Sequence, residues 1–581
     1  MLTLRTLLDD LVQAGLLAQD EMLRLTSLRR SKAESEQHPL NYIAAQQCEN
    51  LQSPGHKLAM AALLQWLGAN AGQPVMHIDP MKIDVRAVTA VMSFAFARRH
   101  QILALEVDQE RVVIASGQPF ISVWEQDLAH ALKKRIVRVV ADPADIQRYC
   151  VEFYSLVSSV SGAVGGGPQG NVISNFEQML ELGKLKDPDA NDQHIVNIVD
   201  WLLQYAFDQR ASDIHIEPRR EQGNIRFRID GVLCNIYELP PAVINAVTSR
   251  LKILARMDLA EKRKPQDGRI KTMSPEGNEV ELRLATMPTA FGEKLVMRIF
   301  DPDVLLRSFE DLGLVDADYQ RWQEMTRRPN GILLVTGPTG SGKTTTLYST
   351  LKQLATEQVN VCTIEDPIEM VEPAFNQMQV QKKIDLDFAS GVRSLMRQDP
   401  DIIMIGEIRD SETAEMAVQA ALTGHLVIST VHTNDAPSAV SRMLELGVPA
   451  YLIRATVVGI MAQRLVRTLC EHCKQPATIE TEVWQELTQP WDVAKPAKVF
   501  RAEGCLECRN SGFYGRQGIY EILPLSRALL KHVRDDFDLD ALRQQGMREG
   551  MHTLRLSGAQ KIAAGYTTAE EVLRVTPASE K

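Results

Sequence analysis

A chain of 581 residues exceeds what one hydrophobic core organises, so several domains of roughly 100–200 residues each are expected. Its 45% hydrophobic and 24% charged residues are those of a globular protein, and no apolar run reaches the roughly 18–20 residues of a membrane-crossing helix. A formal net charge of −10 argues against a broad nucleic-acid surface, which needs clustered cations to neutralise phosphates.

The opening segment, "MLTLRTLLDDLVQAGLLAQDEML", interrupts its apolar positions with Asp9, Asp10, Asp20 and Glu21. No secretory signal tolerates that pattern, which predicts a cytoplasmic chain and an amphipathic helix from Met1 to about Arg30. A helical pattern resumes over Ala59 to Gly68, "ILALEVDQERVVIASG" alternates as two strands joined by a short turn, and "VWEQDLAHALKKRIVRVVADPADIQRYC" reads helix, strand, helix. Residues 1–160 are thus a mixed α/β module. "SGAVGGGPQGN", Ser161 to Asn171, carries Gly and Pro without apolar periodicity and reads as a flexible linker. A second α/β unit over 172–305 follows, with a long helix in "HIVNIVDWLLQYAFDQ", a strand over Asp213 to Pro218 and another in "GNIRFRIDGVL". From Gly331 to about Thr430 the short apolar runs "GILLVTG", "NVCTIED", "DIIMIGE" and "HLVISTVHT" alternate with helical segments, as buried parallel strands do.

The segment "GPTGSGKT" fits G-x-x-x-x-G-K-[ST] in full: Gly337, Pro338, Thr339, Gly340, Ser341, Gly342, Lys343 and Thr344, with Thr345 next. It follows an apolar strand and opens a helix, the context in which backbone N–H groups and a helix N-terminus cradle phosphates. Lys343 would reach the β and γ phosphates of ATP, and the Thr344 hydroxyl would sit on Mg²⁺. "DIIMIGE" brings Glu407 to a strand end, and "TIEDPIE" brings Glu365, Asp366 and Glu369 to another. One carboxylate can hold Mg²⁺ while another orients the attacking water; Glu407 is assigned to the metal side and Glu365 to the water. Four of the eight cysteines, Cys470, Cys473, Cys505 and Cys508, form two C-x-x-C pairs. In a reducing compartment the arrangement points to structural zinc, with a redox pair or free thiols as alternatives.

The phrases "ASDIHIEP", "AEKRKPQDGRI", "GEKLVMRI", "TIEDPIE", "RQDPDIIMIGEIRD" and "TGHLVISTVHTNDA" closely resemble the secretion ATPases of the type II secretion and type IV pilus assembly family, from about Asn171 to the C-terminus. The resemblance identifies "TIEDPIE" as the Asp box, "DIIMIGE" as the Walker B motif and "GHLVISTVHT" as the His box. It implies a homo-hexameric motor, peripheral to the bacterial inner membrane, that works with membrane-anchored platform proteins to assemble a pilus or pseudopilus. It also implies that Arg283 and Arg298 approach the γ-phosphate, that Arg393 and Arg397 sense nucleotide state, that His432 is the His-box member and that Arg516 lies near the nucleotide of the ring. The cysteine subdomain resembles that of assembly motors, which retraction ATPases typically lack. "GPTGSGKTTTLY" and "MAQRLVRTLCEHC" read closer to type II secretion members, with type IV pilus assembly as the alternative.

Residues 1 to about 150 more weakly resemble the docking domains of such ATPases. "LLDDLVQAGLL" keeps Leu11, Val12 and Gly15 of a cyclic di-GMP-binding pattern, but has Thr6, Leu7 and Leu8 where that pattern wants Arg-Leu-Gly, so a buried amphipathic helix is expected there instead of a ligand site. The expected whole is an α/β multidomain protein with a RecA-like P-loop core: docking module 1–160, linker 161–171, a second, PAS-like α/β domain 172–305, ATPase domain 306–465, Cys₄ zinc subdomain 466–520 and helical tail 521–581. A nucleotide-gated scaffold would lack a carboxylate or an arginine, and none is missing; a DNA-pumping motor is disfavoured by the acidic charge.

Overall fold

The computed structural model describes residues 2–28, 30, 37–52, 57–80, 83–163, 190–274, 277, 279–300, 308–314, 316–505, 508 and 511–577. They fall into two compact units, Met1–Ile299 and Phe300–Lys581. No described helix is long and apolar enough to cross a membrane.

The first unit opens with two helices, Leu4–Gln13 and Gln19–Ser27, where the sequence reads as a single amphipathic stretch. Thr3 and Thr6 form a capping box at the start, and Gly15 adopts φ +68° just past the first helix, a left-handed conformation that ends it. Leu7, Leu8 and Leu11 are buried on its inner face. Strands β1 (Ile102–Val107), β2 (Arg111–Ser116) and β3 (Arg135–Val140) make a three-stranded sheet, antiparallel between β1 and β2 and parallel between β2 and β3. The helix Pro143–Ala163 takes in the first three residues of the expected linker; the remainder of 161–171 lies outside the described residues.

A six-stranded sheet follows, built from β4 (Asp213–Glu217), β5 (Gly223–Ile229), β6 (Val232–Leu239), β7 (Gln266–Met273), β8 (Glu279–Thr289) and β9 (Gly292–Phe300), in the order β6-β5-β4-β9-β8-β7. The alternating burial of β5 and β8 marks a sheet with one face in the core and one outside. One buried apolar cluster runs from Ile78 to Met297, so the three-stranded part and this sheet share a core. Arg148, on the helix Pro143–Ala163, reaches Asp208, on the helix Gln193–Asp208, at 3.3 Å.

The second unit is organised by strands β10 (Gly331–Thr336), β11 (Val361–Glu365), β12 (Asn376–Gln379), β13 (Ile402–Ile405), β14 (Leu426–Val431), β15 (Val457–Leu469) and, after the short pair β16 (Gln475–Ala477) and β17 (Val499–Arg501), β18 (Phe513–Pro524). The seven-stranded sheet runs β12-β11-β13-β14-β10-β15-β18, parallel throughout except for β18. Every residue of β10, β11, β13 and β14 is buried, the continuous apolar signature of a strand covered on both faces. The cysteine insert leaves from β15 and returns through β18, so the expected boundaries at 465 and 520 fall inside two strands of the main sheet.

In the first unit the ammonium of Lys252 is almost fully buried 2.8 Å from Glu293 and also donates to the Glu261 carbonyl. Removing one partner leaves an uncompensated buried charge, so Glu293→Gln should destabilise by about 3–5 kcal/mol, while the double variant Lys252→Met, Glu293→Gln should recover much of that loss. Thermal melting of the three proteins checks this; equal melting of the two variants would show that the pair does not act as a unit.

Candidate active site

A parallel sheet sends all its strand-end loops to one edge, and the second unit places its polar residues there. β10 runs directly into the P-loop, β11 ends on Glu365, β13 is followed by Gly406 and Glu407, and β14 by His432. Ligands of open α/β sheets bind outside the carboxyl ends of such strands.

Gly337, Gly340 and Gly342 have φ of +152°, +81° and +87°. A Cβ on Gly337 would stand 2.6 Å from the Gln463 carbonyl oxygen and 2.6 Å from Ser341 Oγ, and one on Gly342 would stand 2.9 Å from Gln463 Nε2. The loop is therefore pressed onto β15 at Gly337 and Gly342, where a side chain has no room, while Gly340 faces open space and is set apart by its positive φ. Gly342 caps the helix Lys343–Leu354, which adds the favourable end of its dipole. Lys343 Nζ donates to the carbonyls of Gly337 at 2.8 Å and Pro338 at 3.1 Å. Burial pushes its ammonium down to about 8; Glu407 opposes that shift and Arg464 adds to it. Pro338, Thr339 and Gly340 are exposed, while Thr344 and Thr345 are half-buried at the helix start.

Glu407 is largely buried, with Arg409 2.5 Å from Oε1 and His432 Nε2 3.5 Å from Oε2. Burial and then the charge of Lys343 lower the His432 imidazole below its ordinary value, against the raising effect of Glu407. Lys343, Glu407 and His432 thus act on one another electrostatically. Glu365 is 3% exposed and accepts from Tyr348 Oη at 2.7 Å, Thr363 Oγ1 at 2.8 Å and Gln377 Nε2 at 3.2 Å. Tyr348 belongs to the helix that the P-loop opens, so the Asp-box carboxylate is tied to the phosphate-loop helix.

The five family arginines divide between the units. Arg283 is mostly buried on β8, 3.5 Å from Glu281, and Arg298 on β9 donates to Asp213 at 3.0 Å; both belong to the first unit. Arg393 and Arg397 are exposed at and just beyond the end of the helix Phe388–Leu395, and Arg516 stands on β18 opposite Arg467. Sequence reasoning passed over Gln463 and Arg464, the two polar residues inside the otherwise apolar middle of β15; a buried polar pair in a strand was the available signal. It also passed over Arg409 and Tyr348, which hold the two carboxylates.

Cys470, Cys473, Cys505 and Cys508 converge, all four Sγ atoms lying within 4.8 Å of one another. The Sγ–Sγ separations Cys470–Cys505, Cys473–Cys508 and Cys505–Cys508 are each 3.7 Å. A tetrahedron with metal–sulfur bonds of about 2.3 Å has edges of about 3.8 Å, so the set fits a thiolate zinc site. Cys508 Sγ also accepts the N–H groups of Cys505 at 3.1 Å and Gly512 at 3.2 Å, a second shell suited to a thiolate.

A mainly parallel sheet with a P-loop after an interior strand, β10, and carboxylates at the ends of β11 and β13 defines a RecA-like P-loop ATPase core. The family described as "Type II/IV secretion system protein" matches residues 189–574, and the "MshEN domain" matches residues 71–160. The type IV pilus assembly ATPase TfpB of Acinetobacter baylyi is 52% identical over 98% of this chain and 98% of its own length. The type IV pilus assembly ATPase PilB of Myxococcus xanthus is 38% identical over 96% of this chain and 97% of its own. The type II secretion system protein E of Pseudomonas aeruginosa is 37% identical over 84% of this chain and 96% of its own. The chain belongs to the type II/IV secretion system protein family and is an ATPase.

The depressed Lys343 ammonium has a measurable consequence. Phosphates favour the charged form, so nucleotide binding near pH 8 should draw a proton onto Lys343, and affinity should fall as pH rises through about 8. Calorimetric titration of MgADP in buffers of different ionisation enthalpy should show proton uptake at pH 8 that Lys343→Arg abolishes; no uptake by the parent would contradict the assigned protonation.

Proposed function

We propose that this chain is a Mg²⁺-dependent motor of the inner-membrane machinery that assembles a pilin-type filament, and that it works as a hexameric ring docked on a platform protein. The observation that carries the reading is the convergence of Lys343, Glu407 and His432 at the carboxyl edge of one parallel sheet, with Glu365 at the end of the adjoining strand β11. Thr344 and Glu407 are the residues that would hold Mg²⁺, which would supply neutralisation of phosphate charge. Lys343 binds the phosphates, the P-loop N–H groups orient them, and Glu365, fixed by Tyr348, Thr363 and Gln377, orients the attacking water. Arg283 and Arg298 of the first unit, with Arg393, Arg397 and Arg516, supply the cations that meet developing charge; a ring can deliver these across subunits. The Cys470, Cys473, Cys505 and Cys508 site holds structural zinc.

Two forms of filament are open to such a motor. The 52% identity to a pilus assembly ATPase over nearly the whole of both chains favours a type IV pilus, whereas the phrases "GPTGSGKTTTLY" and "MAQRLVRTLCEHC" favour a type II secretion pseudopilus. Introducing Lys343→Ala into the host chromosome separates them. Loss of surface pili with normal exoprotein export selects the pilus, and the reverse selects secretion.

Turnover per subunit should rise with protein concentration as light scattering reports hexamers, and Arg283→Ala should lower that turnover at least about tenfold without loss of nucleotide binding. A concentration-independent rate from a monomer, indifferent to Arg283, would defeat the ring. Glu407→Gln should retain ATP yet stall hydrolysis. Metal analysis of the purified parent should return one zinc per chain and Cys470→Ser none; a zinc-free parent would remove the structural assignment.

A further inference from the structure

The loop that follows β14, "HTNDA" from His432 to Ala436, is held at each of its residues by a different partner. His432 faces Glu407. The Thr433 N–H donates to Thr336 Oγ1 at 2.8 Å, at the end of β10. The Asn434 carbonyl accepts from Arg464 Nη2 at 2.7 Å, from β15. Asp435 pairs with Arg543 at 2.9 Å, and the Ala436 N–H donates to the buried Glu521 of β18 at 2.8 Å.

Arg464 is the member of this set whose presence costs most. It is 4% exposed, among the described residues it forms no ion pair, and an aliphatic residue would fill its place in β15 without the cost of taking a charge out of water. Burial lowers its guanidinium from the ordinary value, with only Glu521 and Asp435 opposing through space. What the side chain does make is a fork of two hydrogen bonds to main-chain carbonyls, Nη2 to Asn434 and Nη1 to Gln463 at 3.0 Å. Nη1 also lies 3.1 Å from where a Cβ on Gly337 would stand, so the same guanidinium lies against the first residue of the P-loop. Beside it Gln463 accepts from Thr346 Oγ1 at 2.8 Å, fixing the helix that begins with Lys343.

We propose that Arg464 is a positioning residue for ATP hydrolysis: from beneath the sheet edge it clamps the His432 loop, through the Asn434 carbonyl, against the P-loop, without touching the nucleotide. The clamp rests on the reading of Lys343, Glu407 and His432 as parts of one hydrolytic site. It acts on catalysis more than on binding, because the P-loop keeps its own backbone cradle when Arg464 is gone, whereas the distance of His432 from Glu407 and from the phosphates depends on where the loop is held. A lysine cannot replace it, since a single ammonium on a flexible stem does not reproduce a planar fork spanning two carbonyls.

The test compares the full chain with Arg464→Gln, Arg464→Lys and Lys343→Ala in steady-state MgATP turnover, binding of a fluorescent ADP analogue and thermal melting. Expected is a fall in kcat of about tenfold or more for Arg464→Gln, with KM and the ADP dissociation constant within about threefold of the parent. Arg464→Lys should recover less than half of the lost kcat while melting with the parent. If Arg464→Gln does not fold, the milder Arg464→Lys carries the test, and a several-fold lower kcat at unchanged KM is expected of it. Parent-like kcat in either variant overturns the proposal, as does a loss that only follows the unfolded fraction or that appears in KM and ADP binding instead of kcat. Full turnover by Lys343→Ala would instead overturn the site reading beneath it, so the two failures are distinguishable.

Discussion

The parallel register of β10, β11, β13 and β14 is the constraint on which the second unit depends. Strands buried on both faces can carry no charge along their length, so the charged residues of "TIEDPIE", "DIIMIGE" and "STVHT" are pushed to the strand ends. Because the strands are parallel, those ends lie on one edge. A carboxylate, an imidazole and a lysine that stand 25 to 89 positions from one another in sequence, by subtraction of 343, 407 and 432, meet there without any loop having to travel.

That reasoning explains how much was legible in the residues alone. The P-loop and the four strands could be read because each element's function and its fold place the same demand on sequence: apolar runs for doubly covered strands, glycines where φ is positive. The cysteine site was legible for a similar reason, since two C-x-x-C turns separated by an insert are a local pattern that can bring four thiols together. The break in the N-terminal helix was missed because Gly15 inside an amphipathic repeat costs only about 1 kcal/mol on propensity, and the pattern on either side overrode it. The domain limits at 465 and 520 crossed β15 and β18 because an insert between paired strands has no compositional edge at the point where the sheet resumes.

The supporting residues were hidden for a different physical reason. Tyr348, Gln463 and Arg464 act through buried side chains, and their partners include Glu365, Thr346 and the Asn434 carbonyl, all distant in sequence. No spacing rule announces a hydrogen bond between β15 and a loop thirty residues earlier, by subtraction of 434 from 464. What can be seen is the anomaly: glutamine and arginine where the strand's neighbours are Met461, Ala462 and Leu465. A buried polar side chain in such a run must have found partners, and asking which ones is the step that sequence can prompt but not complete.

The same accounting separates the carboxylates. Glu365 is encased by three side-chain donors, one of them on the P-loop helix, so its position follows that helix. Glu407 lies between two side chains that reach solvent, an exposed arginine and a half-exposed histidine, with Lys343 acting on it through space. A group held by rigid neighbours is suited to orienting a reactant, and a group whose partners can turn away is suited to receiving a metal or a new charge. The surroundings of the two acids therefore differ in kind, and the loop from His432 to Ala436, held by β10, β15 and β18 at once, connects Glu407 by contiguous contacts to Arg543 on the helix Leu539–Arg548.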